Sequence, residues 1–424
     1  MRREVLSLYL HIPFCRFRCA YCDFNTYAGL DGLIPVYGQA LAREVRLVGA
    51  AAPAEQGPVH TVFFGGGTPS LMPLAQYGEI FRAIRASFEL TDDCEITLEA
   101  NPGTVDQAYL DGLRALAVNR LSFGVQSSHA WELRLLDRQH SFEDVIAAVG
   151  MARAAGFGAA GSYGLNLDLI FALPHQTLAD WQATLRRALA LEPEHLSLYA
   201  LSLEQGTPLR SWVTSGLLPT PDTDLAAEMY TWASDTLAGH GYQQYEISNW
   251  ARGDVGSQKS EVRRVHESGG SDVQLLTSDL QYACRHNLQY WRNRPYLGFG
   301  AGAHGCAAGW RYSNVLAPAA YIARLDPAAA GQPRAFPFSP ATVETTMVTP
   351  ETAMDETMML GLRLVREGVG EADFDHRYGQ PLEARYSRRL KRLMALGLLE
   401  RDGQRVRLTN GGRRLGNRVF REFV

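Results

Sequence analysis

A chain of 424 residues exceeds what one hydrophobic core usually covers, so two or three folding units are expected. Its 46% hydrophobic and 20% charged residues are those of an ordinary globular protein, which excludes collagen-like, disordered and coiled-coil architectures. The net charge of -4 divides into +4 over residues 351–424, which hold 15 Lys and Arg against 11 Asp and Glu, and -8 over the rest, so neither part is basic enough to argue for a nucleic-acid partner.

The chain opens MRREVLSLYLHIPFC, where two arginines precede an apolar run. The run is short and no small-residue cleavage site follows, so it reads as a first strand and not as a leader. The least polar stretches, such as 295–310, are under 18 residues, Gly-rich and interrupted by His304, so no membrane span is expected and the location should be cytoplasmic. From the start, β-rich runs alternate with helical patterns. SLYLHI is followed by a helix near 36–48, VHTVFF by 74–88, and EITLEA by 106–116. RLSFGV then leads to a helix near 142–155, GLNLDLIF to 178–191, and HLSLYAL to 224–238. Six such units predict an α/β fold, a partial (β/α)6 barrel over residues 1–245. In barrels of this kind functional residues gather where strands end and loops begin.

An extension over 246–349 follows, containing a polar loop at 252–281 without apolar periodicity and an Ala- and Pro-rich linker or irregular cover at 317–340. Residues 350–424 then read as helices near 354–366, 372–378 and 381–396, a two-stranded wing (LLERD and RVRLT) and a last helix to Phe420. This is a C-terminal winged-helix-like α+β domain. Such units bind DNA or simply pack, and the weak charge favours packing.

Of six cysteines, Cys94, Cys284 and Cys306 are scattered, while Cys15, Cys19 and Cys22 fall together, so a disulfide framework is not expected. CxxxCxxC spacing lets three thiolates turn inward from one loop to hold three corners of an iron-sulfur cube, with the fourth corner open to a ligand. A Cys3His zinc site completed by His11 is the alternative. Gly65, Gly66 and Gly67 follow a strand, where glycines permit positive φ or close approach of a ligand. The run fits both a nucleotide-like ligand and a tight turn, and the missing GK[ST] signature excludes a P-loop. Glu99, Gln126 and Asp168 lie at or near strand ends on the same predicted rim, where the plain alternative is solvated surface.

YLHIPFCRFRCAYCDF resembles the cluster loop of radical S-adenosylmethionine (SAM) proteins, whose fourth iron is chelated by the methionine part of SAM. The resemblance continues through FFGGGTPS, LEANPGT, RLSFGVQS, NLDLIFALPHQT, LSLYALSLEQGTPL, YEISNWA and YLGFGAGAH, nearly the whole chain. These motifs are those of the branch containing oxygen-independent coproporphyrinogen oxidase and the HemW-type heme chaperones. The resemblance implies a 4Fe-4S cluster on Cys15, Cys19 and Cys22. It also implies a SAM site drawing on Tyr9, Tyr21, Gly66, Gly67, Thr68, Glu99, Gln126, Arg138, Asp168 and the backbone of Ala200.

Within that branch, the oxidase pattern has a cysteine two residues after the third cluster cysteine, and here that position is Phe24. The oxidase also carries a long segment ahead of its cluster loop, for which the residues before Cys15 leave no room. CRHNLQYW supplies the HNxxYW motif of the chaperone branch, so His286, Asn287, Tyr290 and Trp291 are implied heme contacts. An imidazole is a common axial heme ligand, and a helix would put His286 and Tyr290 on one face. His304 and Cys284 are the other candidates.

The expected function is a heme chaperone without a catalytic residue of its own, taking up heme and passing it to an acceptor protein, with an electron donor for the cluster. Self-association into a homodimer is left open. The alternative within the family is the oxidase, which uses a 5'-deoxyadenosyl radical to oxidise propionate side chains. A DNA-binding regulator is the third reading.

Overall fold

The computed structural model describes residues 3–253, 280–329 and 334–424. Residues 254–279 of the expected polar loop and 330–333 of the expected linker lie outside the described residues.

The predicted alternation is present. β1 (Leu6–Ile12) leads to α1 (Ile34–Ala50), β2 (Val59–Gly66) to α2 (Leu74–Ser87), and β3 (Leu90–Ala100) to α3 (Gln107–Ala115). β4 (Arg120–Gln126) leads to α4 (Phe142–Ala154), β5 (Gly164–Phe171) to α5 (Leu178–Leu189), and β6 (His195–Ala200) to α6 (Thr223–Gly239). Period-2 patterning explains the strands. In β1, Leu6, Leu8, Leu10 and Ile12 are fully buried on one face, while Ser7, Tyr9 and His11 alternate onto the other. Helix starts are fixed locally: Ser141 with Asp144 and Thr177 with Asp180 form reciprocal capping boxes that satisfy the first backbone donors of α4 and α5.

Beyond α6 come β7 (Tyr242–Glu246), β8 (Asn249–Arg252), α7 (Arg285–Trp291), β9 (Tyr296–Phe299), β10 (His304–Ala307), β11 (Trp310–Asn314), α8 (Pro318–Arg324) and β12 (Thr342–Met347). The chain forms two compact units that cut across the expected boundaries. The first comprises Met1–Pro193, Tyr199–Ala226 and Arg294–Val348; the second comprises Glu194–Leu198, Ala227–Asn293 and Thr349–Val424.

In the first unit, β1 to β5 lie side by side in sequence order, all parallel. β9 adds to the free edge of β1 in parallel, and β10, β11 and β12 continue from it antiparallel. These strands are four to six residues long, too short to show periodicity, which is why no strand is expected from the sequence over 246–349. The stretch expected as a linker is anchored. Glu44 of α1 is buried and accepts hydrogen bonds from Tyr321 Oη (2.6 Å), Ser339 Oγ (2.6 Å), Asn314 Nδ2 (2.8 Å) and the Gly300 amide (2.8 Å). A carboxylate can be buried at this cost only where several donors replace water.

In the second unit, β8 pairs antiparallel with β6 and β7. Its C-terminal part is winged-helix-like: α9 (Pro350–Gly361), β13 (Val369–Gly370), α10 (Glu371–Tyr378), α11 (Leu382–Ala395), β14 (Leu399–Asp402) and β15 (Arg405–Leu408), with β15 central in the small sheet. α11 buries Leu382, Tyr386, Leu390 and Leu393, one helical stripe, against Met358, Phe374, Val406 and Leu408. Arginines of this region face acids of the same region. Arg385 pairs with Asp355, Arg401 with Glu371 and Glu383, Arg405 with Glu367 and Asp373, and Arg407 with Glu400 and Asp402. Exposed pairs add little stability, but they neutralise what a DNA-binding face would leave open.

Candidate functional site

The C-terminal ends of β1 to β5 open into a cavity of about 670 Å³ that lies entirely within the first unit. Cys15, Cys19 and Cys22 line it together with Tyr21, Gly66, Gly67, Thr68, Glu99, Gln126, Arg138, Asp168 and Ala200. Twelve of the thirteen cluster and SAM positions inferred from the sequence are thus brought to one wall or another of a single space. Tyr9 is the exception: it does not line the cavity. On the face of β1 opposite the leucines, its ring stacks on Phe63 with centroids 6.2 Å apart, and its hydroxyl donates to Nδ1 of His11 (3.0 Å).

His11 bears on the zinc alternative. Its Nε2 donates to the Asn25 carbonyl (2.9 Å) while Nδ1 accepts from Tyr9, so neither ring nitrogen is left to complete a Cys3His site. Three thiols facing one roomy cavity, with no fourth protein ligand among the described residues, fit a cube with an open corner.

The cluster loop leaves β1 through Phe14–Cys15, which pairs in parallel with Tyr27–Ala28. The glycine run fixes it from the other side. The Gly67 amide donates to the Ile12 carbonyl (2.8 Å) and the Thr68 amide to the Phe14 carbonyl (2.8 Å), so both are engaged in holding the cluster loop. Gly66 has φ +117°, and a Cβ there would lie 2.5 Å from the His11 ring; at Gly67 it would lie 2.7 Å from the Phe14 carbonyl oxygen and 3.0 Å from Cys15 Sγ. The structure therefore needs these glycines for close packing of the cluster loop before any ligand enters.

Two carboxylates, Glu99 and Asp168, also line the cavity. Asp168 accepts from Ser122 Oγ (2.9 Å) and Asn166 Nδ2 (2.9 Å), and Glu99 accepts from the Gly66 amide (3.1 Å). Burial, and then the nearby Asp168 carboxylate, push the Glu99 carboxyl up to about 8. Gln126, at the end of β4, has φ +68°, a left-handed conformation that an ordinary residue adopts only under constraint. Arg138 lines the cavity, with Nη1 donating to Cys19 Sγ (3.5 Å) and Nη2 to the Gly124 carbonyl. Arg138 thus touches a cluster cysteine, in addition to the ligand role the resemblance implied.

Two residues that sequence reasoning passed over belong to this site. Thr26 is a buried hydroxyl beside Cys15 and Cys22. His140, two residues after Arg138, lines the cavity with Nε2 donating to the Val125 carbonyl (3.1 Å); burial and the Arg138 cation hold its pKa down at about 4, so it is a neutral imidazole. Neither belongs to a recognisable motif, and only proximity reveals them. Phe24, at the position of the oxidase's extra cysteine, is 64% exposed and lines the same cavity.

The HNxxYW segment lies in the second unit, as α7. As expected for a helix, His286 and Tyr290 meet: the rings are T-shaped at 4.8 Å and the His286 Nε2 to Tyr290 Oη distance is 2.9 Å. His286 is only 1% exposed, however, so its imidazole is closed to an incoming ligand in this conformation. Trp291 packs under the Arg363 guanidinium at 4.3 Å, and Asn287 is partly exposed. Cys284 is fully buried and His304 is exposed.

The radical SAM superfamily model matches residues 9–188, and the HemN C-terminal domain model matches 348–415. The chain is 35% identical over 419 residues to the heme chaperone HemW of Bacillus subtilis, covering 99% of each. It is 32% identical to the heme chaperone HemW of Lactococcus lactis, over 100% of this chain and 98% of that one. Its backbone resembles that of coproporphyrinogen III oxidase from Escherichia coli, with TM-score 0.78 and 24% identity over 100% of this chain and 90% of that one.

Proposed function

Because the chain belongs to the HemW heme-chaperone family of radical SAM proteins, we propose that it takes up heme and hands it to an acceptor protein, with a SAM-chelated 4Fe-4S cluster on Cys15, Cys19 and Cys22. The observation that carries this reading in preference to the oxidase is Phe24, which is exposed on the wall of the cavity where the oxidase pattern has an additional cysteine. No helix among the described residues is long and apolar enough to cross a membrane, and the setting we propose is the cytoplasm, with an electron donor serving the cluster.

A cluster held by three thiolates supplies an open iron for SAM and a one-electron couple. The chain's own residues do the rest. Glu99 and Asp168 offer anionic oxygens to a cationic ligand, Gln126 and Arg138 offer donors to its carboxylate and hydroxyls, and Tyr21 closes the wall behind the cysteines.

The test is anaerobic reconstitution followed by heme titration, transfer to an apo-hemoprotein, and a coproporphyrinogen assay in parallel. Stoichiometric heme uptake and release without CO2 formation is expected. CO2 release from coproporphyrinogen with no heme uptake would promote the oxidase.

SAM affinity should depend on pH through Glu99. With the carboxyl at about 8 in the free protein, Glu99 is mostly neutral below that pH, and a cationic ligand prefers the ionised form. Affinity is therefore expected to rise with pH from 6.5 and level off above about 8, by at most about tenfold per pH unit. Equilibrium dialysis across that range checks it, and Glu99→Gln should flatten the slope.

For heme, we propose His286 as the first ligand to test. Ligation requires the Tyr290 contact to open, so uptake should be slow in the native protein and faster in Tyr290→Phe. His286→Ala should shift or abolish the Soret band while the cluster cysteines keep their iron. A band lost only in His304→Ala or only in Cys284→Ala would move the ligand there.

A further inference from the structure

The geometry points to a set of hydrogen-bond donors for the cluster sulfurs, in which Thr68 serves Cys15, Arg138 serves Cys19, and Thr26 lies between Cys15 and Cys22, together raising the reduction potential of the cluster. This rests on the cluster reading above and deepens it, assigning these side chains to the metal centre itself.

Thr68 Oγ1 donates to Cys15 Sγ at 3.5 Å, an ordinary hydrogen-bond length to sulfur. Its amide is fixed by the Phe14 carbonyl, so the hydroxyl is held where it is by the same loop that carries the sulfur. Arg138 reaches Cys19 Sγ at 3.5 Å while the Gly124 carbonyl anchors its other terminal nitrogen, so a permanent cation is pinned beside the second ligand. Thr26 is buried, and its hydroxyl lies within hydrogen-bonding reach of both the first and third thiols. A cube bound to Cys15 and Cys22 turns those thiols into anionic sulfurs, to which the same hydroxyl donates more strongly.

The consequence follows from charge. Taking the couple from the 2+ to the 1+ level adds one electron, and no proton, to a centre whose negative charge rests partly on the thiolate sulfurs. Donors and a guanidinium aimed at those sulfurs stabilise the reduced form more than the oxidised form, and in a partly buried site the effect is large. Removing a donor therefore drives the potential down, whether or not SAM is present. That separates this role from ligand binding, which needs SAM to appear.

The experiment is a dithionite titration of the anaerobically reconstituted full-length protein with mediator dyes, followed by electron paramagnetic resonance, in the absence of SAM. Iron content and circular dichroism serve as fold controls. Thr68→Val removes the hydroxyl at nearly constant shape, and Thr68→Ser restores it. Thr68→Val is expected to lower the reduced-to-oxidised ratio at a fixed poise about tenfold, equivalent to about 59 mV for one electron, with Thr68→Ser close to the native value. Arg138→Gln should shift it in the same direction, and Arg138→Lys less. Potentials in Thr68→Val and Arg138→Gln that equal the native one, at full iron content, overturn the proposal. Should Thr68→Val not retain its iron, the Arg138 pair decides by the same criterion. A native protein that takes up no cluster at all would instead overturn the cluster reading.

Discussion

Cys19→Ser is expected to fold and yet to show no oxygen-sensitive 4Fe-4S absorbance after anaerobic reconstitution. Cys15, Cys19 and Cys22 are the three thiols lining the cavity, and no other described cysteine lines it, so no neighbour can replace the lost ligand. Serine oxygen is a harder donor that holds iron of this kind poorly. Folding should survive because Cys19 is partly exposed and the loop is secured elsewhere, by Gly67 on Ile12 and Thr68 on Phe14. Iron and sulfide analysis beside the visible spectrum checks it. An intact four-iron centre in this variant would reject the ligand assignment, and one zinc per chain without iron uptake would restore the zinc alternative despite the engaged nitrogens of His11.

Gly67→Val should cost the protein both its cluster and its SAM affinity. The pattern of glycines alone suggests that a branched side chain here blocks the ligand and spares the metal. The structure says otherwise, because the added Cβ would stand 2.7 Å from the Phe14 carbonyl oxygen and 3.0 Å from Cys15 Sγ. Backbone at that distance cannot yield cheaply, so the first cluster cysteine must move. Reconstituted iron is expected to fall to a small fraction of native, with SAM binding lost in parallel. Full iron with SAM affinity alone abolished would return the glycine to the ligand's side. Native values of both would remove it from the site.

The HNxxYW segment shows where a motif stops informing. Its spacing correctly implied that His286 and Tyr290 share a helix face, since residues four apart are neighbours on any helix. Spacing carries nothing about what covers that face. His286 is buried to 1% exposure, so the imidazole that reads as a ligand is closed off in the folded unit.

By itself the sequence determined the six βα units, the winged-helix-like end and the cysteine loop, because strand and helix periodicities and CxxxCxxC spacing are local properties of the chain. It also placed Glu99, Gln126 and Asp168 at strand ends, where parallel strands bring residues to one rim regardless of detail. Tertiary structure decided the contacts that give those residues their chemistry. Thr68 meets Cys15 across 53 positions, Arg138 meets Cys19 across 119, and Ser339 meets Glu44 across 295. It also decided the strands after Arg294, which are too short to stand without the edge of β1 to pair with. Such contacts are selected by which surfaces meet once the sheet has formed, and no window of sequence contains both partners.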